Sequence, residues 1–143
     1  MSRRTRGIHH VVLTVTDVGR STEFYERVLA MTVLEASEKV SVLADGEALL
    51  CLQRPPHAPL PNDRFDENRV GLDHVAFSVA FRKELEETLD VLRDLGVETA
   101  GIEFDPDGQA DYVCFRDPDN IQVEVYVWTE HSSGQSALAK QRT

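Results

Sequence analysis

From Gly7 the chain reads GIHHVVLTV, an alternation of apolar and polar positions with period two. From Gly71 it reads GLDHVAFSV, and the same alternation returns with His74 standing 64 residues after His10. In the first copy Val11, Leu13 and Val15 share one face, with His10, Val12 and Thr14 on the other. In the second, Val75, Phe77 and Val79 oppose His74, Ala76 and Ser78. This period predicts two half-buried strands, each needing a layer over its bulky face. After each strand the period lengthens to that of a helix. RSTEFYERVLAM (20–31) carries Phe24, Val28 and Leu29 on one stripe, and RKELEETLDVLRDLG (82–96) carries Leu85, Leu89 and Leu92. Asp17 or Ser21 is suited to cap the first helix, and Gly96 to end the second in a left-handed residue. The first helix runs out at Ala30, a less natural residue for that place.

Three further strand-like runs follow each helix: TVLEAS, KVSVLAD and EALLCLQ in the first half, VETAGIEF, DYVCFRD and IQVEVYVW in the second. Each half therefore predicts the order β-α-β-β-β, and the fold class is α+β with two tandem modules, residues 7–54 and 71–128. The Pro-, Asn- and Asp-rich stretch 55–70 reads as a linker, and 129–143 as a polar C-terminal tail, loose or a peripheral helix. Matching ADG (44–46) with DPD (117–119) extends the repeat to the last strands. It sets Leu50 against Val123 and Cys51 against Glu124, with Leu49, Cys51 and Gln53 on one face and Gln122, Glu124 and Tyr126 on the other module's counterpart.

Glu124 is the residue that this pattern leaves unexplained. It sits between Val123 and Val125 in an apolar strand, where a carboxylate costs several kcal/mol unless a cation compensates it. His10, His74 and Glu124 all fall on the less apolar faces of repeat-related strands. Two neutral imidazoles and a carboxylate form a standard donor set for a divalent metal with open coordination positions. A strand histidine taken alone is more commonly a hydrogen-bonded structural residue, and a strand glutamate can simply face solvent. His9 precedes His10 and alternates to the opposite face, as a structural or exposed residue. DPDG (105–108) reads as a turn rather than a calcium loop, and Asp117 with Asp119 as shapers of the turn before the last strand. Arg116 is suited to steering an anionic substrate or to a structural ion pair. Gln122 and Tyr126 share Glu124's face, Tyr126 as an auxiliary acid or as aromatic packing.

Composition narrows the partners. The 143 residues carry 15 Lys and Arg against 25 Asp and Glu, a formal charge of −10, which disfavours nucleic acid and anionic membrane surfaces. No apolar run reaches the length of a membrane span, and the basic start MSRRTR lacks the apolar core of a signal peptide. Cys51 and Cys114 form no CxxC pair, which fits a reducing cytoplasm.

The stretches HVVLTVTDVGRSTEFYERVLAM, GLDHVAFSV and FRDPDNIQVEVYV resemble the vicinal oxygen chelate superfamily over residues 7–128. That superfamily includes glyoxalase I, fosfomycin-resistance proteins, extradiol dioxygenases and bleomycin-resistance binding proteins. The resemblance implies paired βαβββ modules in a U-shaped, partly closed barrel. It also implies a divalent ion (Fe, Mn, Zn or Ni) held by His10, His74 and Glu124, and a homodimer in which His10 of one chain joins His74 and Glu124 of the other. With such a site, Glu124 and Tyr126 are the candidate catalytic residues, and Cys51, Gln53, Gln122 and Arg116 the candidates for lining a pocket for a small-molecule substrate. Glyoxalase I has a fourth ligand, a Glu where Cys51 stands, so the resemblance is weaker for that activity. The family's Gly after the first helix is Ala30 here. The expected function is metal-dependent lyase, isomerase or transferase chemistry on two neighbouring oxygens of a substrate, with a dioxygenase second and a non-catalytic sequestering protein third. A purely structural module would leave Glu124 unpaired.

Overall fold

The computed structural model describes Arg4, Thr5, 7–58 and 60–129. The tail from residue 130 and most of the basic start lie outside the described residues. The chain divides into two compact units, Met1–Arg64 and Phe65–Thr143. The first holds β1 (His10–Thr14), α1 (Val18–Leu29), β2 (Thr32–Ala36), β3 (Val40–Ala44) and β4 (Leu49–Gln53). The second holds β5 (His74–Val79), α2 (Arg82–Asp94), β6 (Ile102–Asp105), β7 (Ala110–Arg116) and β8 (Gln122–Val127). Each unit is thus the expected β-α-β-β-β module. The sheets run β1-β4-β3-β2 and β5-β8-β7-β6, parallel between first and last strands and antiparallel elsewhere.

The alternation read from the sequence decides which face each helix covers. In the first module α1 packs on β2, β3 and β4, where Leu43, Leu50 and Leu52 are at most 1% exposed alongside Phe24, Tyr25 and Val28. In the second, α2 packs on β5, β7 and β8, burying Leu85 and Leu92 with Val113, Phe115, Val123 and Val125. Full burial of each such side chain contributes about 1.5–3 kcal/mol. The opposite face of each sheet carries the histidine of its first strand, His10 or His74. Among the described residues no helix is long and apolar enough to cross a membrane.

The helix ends correct the sequence reading in detail. The first helix starts at Val18, two residues early, because Asp17 caps it by accepting the Arg20 N–H at 2.9 Å. Ser21, the other candidate cap, is fully buried one turn inside. The second helix ends at Asp94, and Gly96 takes φ +68° as expected, with Val97 N–H reaching Leu92 O at 2.9 Å. The strand expected over VETAGIEF is confined to Ile102–Asp105. Ahead of it Gly101 sits at φ +89°, and Thr99 Oγ1 donates to Cys114 O at 2.7 Å, so the chain there is tied by a side chain instead of a ladder.

Ala30 ends α1 in the left-handed region, φ 51° and ψ 32°. A Cβ in that region costs about 1 kcal/mol, partly offset in a glycine by its freer unfolded chain. Ala30→Gly is therefore expected to stabilise the protein by ~0.5–1 kcal/mol. Urea unfolding checks this, and a loss of stability would show that the Ala30 methyl group contributes packing that outweighs the strain.

Candidate metal centre on the second module

The ladder of the second sheet assembles the site. Parallel pairing sets His74 opposite Gln122 and Ala76 opposite Glu124. Antiparallel pairing sets Cys114 opposite Glu124, Tyr112 opposite Tyr126 and Arg116 opposite Gln122. Because side chains alternate across a strand, all of these point away from α2. Glu124 is buried, 8% exposed, and its partners are now visible. Its Oε2 lies 3.3 Å from His74 Nε2, and its Oε1 accepts a hydrogen bond from Gln122 Nε2 at 3.2 Å. On the far side of the ring, His74 Nδ1 lies 2.6 Å from Asp73 Oδ1. Asp73 escaped the sequence reading, although an acid directly before a strand histidine was the available signal.

The donor chemistry fits a divalent cation. An imidazole that gives its Nδ1 proton to Asp73 turns a bare Nε2 lone pair toward a carboxylate that also offers only lone pairs. The 3.3 Å between them suits neighbouring donors about 2 Å from one ion. A carboxylate behind the ligand histidine is the usual supporting arrangement.

The surrounding groups are proton donors. Tyr126 stacks on Tyr112 with ring centroids 4.8 Å apart, and its O–H donates to Asp105 Oδ2 at 3.2 Å. Burial first, then the negative charges of Glu124 and Asp105, push the Tyr126 phenol well above its ordinary range. Burial and Glu103 raise the Tyr112 phenol as well, and burial and Glu124 raise the Cys114 thiol. These groups stay protonated at neutral pH. Asp105 also accepts the Asp107 N–H at 2.9 Å, so DPDG is the expected turn, joining β6 to β7.

Arg116 takes the structural option. Its guanidinium grips Glu67 through two bonds of 2.6 and 3.1 Å and donates to Asn120 O at 3.1 Å. Hydrogen bonding to Arg116 lowers the Glu67 carboxyl from 4.5 to about 2. Phe65 N–H also donates to Asp119 O, so the stretch from Phe65 packs with the second module.

The remaining candidates lie on the first module. His10 pairs with Leu49, Val12 with Cys51 and Thr14 with Gln53. Cys51 therefore occupies in the first sheet the register position that Glu124 holds in the second, flanked by Val12 and by Val42 of β3. Cys51 and Cys114 are both free thiols. His10 and Gln53 are exposed. His9 does not alternate away from His10: their Nδ1 atoms are 2.9 Å apart and the rings meet edge to face. The strand begins only at His10, so its alternation does not bind the residue before it. The structure thus brings together His74, Glu124, Gln122 and, on the same face, Tyr126. Among the described residues no group of three or more His, Cys, Asp or Glu side chains is placed to hold a metal ion.

Comparisons with known proteins agree with this architecture. The "Uncharacterized protein YwkD" of Bacillus subtilis is 28% identical over 128 residues, spanning 85% of this chain and 96% of the relative. A "Metallothiol transferase FosB" of Shouchella clausii is 30% identical, spanning 86% of this chain and 81% of its own. The crystal structure of a glyoxylase/bleomycin resistance protein/dioxygenase domain from Frankia sp. EAN1pec superposes with a TM-score of 0.75 at 30% identity, covering 87% of this chain and 99% of that one. Residues 7–125 match the model of the Glyoxalase/Bleomycin resistance protein/Dioxygenase superfamily, and the chain belongs to that superfamily.

Proposed function

We propose that this protein is a divalent-metal-dependent enzyme acting on a small substrate with two neighbouring oxygens, by lyase, isomerase or transferase chemistry. The observation that carries this reading is the opposition of His74 Nε2 and Glu124 Oε2 at 3.3 Å, two lone-pair donors on the face that also carries Gln122, Tyr112 and Tyr126. His74 and Glu124 would hold the ion, with His10 of a second chain as third donor in the homodimer implied by the family. When bound, Fe, Mn, Zn or Ni supplies Lewis acidity to the substrate oxygens. Tyr126, held protonated, donates a hydrogen bond or a proton to a substrate oxygen, and the Glu124 carboxylate is the nearest proton acceptor. Gln122 and Arg116, the latter held by its ion pair, would line the pocket beside the ion, and Cys51 and Gln53 of the second chain would join them with its His10. The transferase option gains support from the relative named a metallothiol transferase. A dioxygenase is the second reading, because two histidines and one carboxylate leave room for both a catechol-like substrate and O₂.

Metal analysis by mass spectrometry on untagged protein, purified without chelator and then offered each ion, tests the proposal. About one ion per chain supports it. The loaded protein is next titrated with 4-methylcatechol and with 3,4-dihydroxybenzoate, which share the chelating oxygens and differ in charge. Tighter binding of the neutral compound is expected, because Glu67 neutralises Arg116 while Glu103 and Asp105 bring negative charge to the same sheet. A protein that stays empty with every ion, yet binds either compound, identifies the sequestering alternative.

A further inference from the structure

His74 is held from both sides, and the two contacts differ. Its Nδ1 is 2.6 Å from Asp73 Oδ1, whereas its Nε2 is 3.3 Å from Glu124 Oε2. A ring nitrogen and a carboxylate oxygen at the shorter distance share a proton, and in a neutral imidazole facing an ionised carboxylate that proton belongs to the nitrogen. The other nitrogen is then left bare. We propose that Asp73 is a positioning residue: by accepting Nδ1–H it fixes the tautomer and ring plane in which His74 presents an unprotonated Nε2 beside Glu124. The use of that lone pair rests on the metal reading above, but the tautomer requires no ion.

The first module repeats the arrangement with a different residue. His9 precedes His10 as Asp73 precedes His74, and its Nδ1 lies 2.9 Å from the Nδ1 of His10. In both modules the neighbour N-terminal to the strand histidine engages its Nδ1. Successive side chains in a regular strand point to opposite faces and cannot meet in this way. They meet here because the contact is made at the strand's first residue, where Gly7 (φ +122°) and Gly71 (φ +150°) lie two positions ahead of His9 and Asp73. Glycine supplies that backbone without a side-chain penalty. The local chain entry thus serves the ligand geometry.

Asp73 is exposed, with 69% of its side chain accessible, so its removal is expected to leave the fold intact. The test is a long-range proton–nitrogen correlation spectrum of metal-free, nitrogen-15-labelled protein at a pH above imidazole titration, with His74 identified by its loss in His74→Gln. Wild type is expected to show the Nδ1–H tautomer. Asp73→Ala should shift His74 toward Nε2–H, and Asp73→Asn, whose amide oxygen accepts the same bond, should restore Nδ1–H. Zn²⁺ affinity is expected to fall about 10–100-fold in Asp73→Ala and to recover in large part in Asp73→Asn. The same tautomer in wild type and Asp73→Ala overturns the proposal. So does a tautomer change that leaves Zn²⁺ affinity untouched, since positioning would then have no effect on the ligand. If wild type binds no Zn²⁺, Mn²⁺, Fe²⁺ or Ni²⁺ while the tautomer shifts, the metal reading fails and the role of Asp73 in fixing the ring stands.

Discussion

Glu124→Gln is expected to weaken metal binding by at least about 100-fold, more than the loss of a supporting residue costs. Over the same substitution the metal-free fold should hold its stability or gain about 1 kcal/mol. The opposite signs follow from what surrounds the carboxylate. Glu124 is 8% exposed, and it meets one neutral amide, Gln122, and one imidazole whose proton is directed to Asp73. A buried charge compensated so poorly is a net cost to folding, and a neutral isostere of the same volume removes it. A residue retained against its own folding cost is expected to act in function. Competition with a fluorescent chelator measures the first effect, and urea unfolding in excess chelator the second. If the metal-free variant loses more than about 2 kcal/mol, Glu124 is a structural residue and the site lies elsewhere. Mixing chains supplies a sharper form of the test. In a dimer with shared sites, His10→Ala and Glu124→Gln each lack every site, but a heterodimer of the two rebuilds one intact set. Partial recovery of bound metal on mixing and refolding the variants is expected; no recovery would mean that the sites are not shared between chains, and full metal content in His10→Ala alone would place His10 outside the donor set.

The module order was legible because its signals are periodic. Gly7, His10, Gly71 and His74 mark the repeat, and the register of both sheets sets Cys51 where the alignment with Glu124 placed it. Periodicity could not place His9 and Asp73, since both lie just before a strand, where alternation does not apply. Nor could it choose between steering and pairing for Arg116. That choice depends on Glu67, 49 residues away in sequence and inside a stretch whose Pro and Asn content reads as linker. Tyr126 shows the same limit. Its face was evident from period two, but the stack on Tyr112 and the bond to Asp105 come from neighbouring strands. The faces of the candidate site were thus readable, and the partners that tune it were not.

Asp117→Ala is expected to lower stability by ~2–4 kcal/mol. The segment DPDN joins β7 to β8 in a tight reversal, and Asp117 holds it with both backbone and side chain. Its N–H donates to Ile121 O at 2.9 Å and its carbonyl accepts from Asn120 N–H at 3.0 Å. Its Oδ1 accepts the N–H groups of Asp119 at 2.9 Å and Ile121 at 2.8 Å. Asp117 is 5% exposed, so water cannot replace the carboxylate once it is gone. Two backbone donors lose a charged acceptor, each at a cost of about 1–3 kcal/mol. The turn also holds Asn120 at φ 70°, and Asn120 Nδ2 donates to Phe65 O at 3.0 Å. Loosening at Asp117 therefore reaches the Phe65–Glu67 brace on Arg116 and the start of β8 at Gln122, two residues before Glu124. Calorimetry should show a Tm lower by roughly 5–15 °C. Asp117→Asn, which keeps the acceptor oxygen but not its charge, should recover about half of the loss. A fall below about 0.5 kcal/mol in Asp117→Ala would mean that backbone hydrogen bonds alone set the reversal. The expected loss would instead make this carboxylate the anchor that fixes where β8 begins, and with it the depth at which Glu124 faces His74.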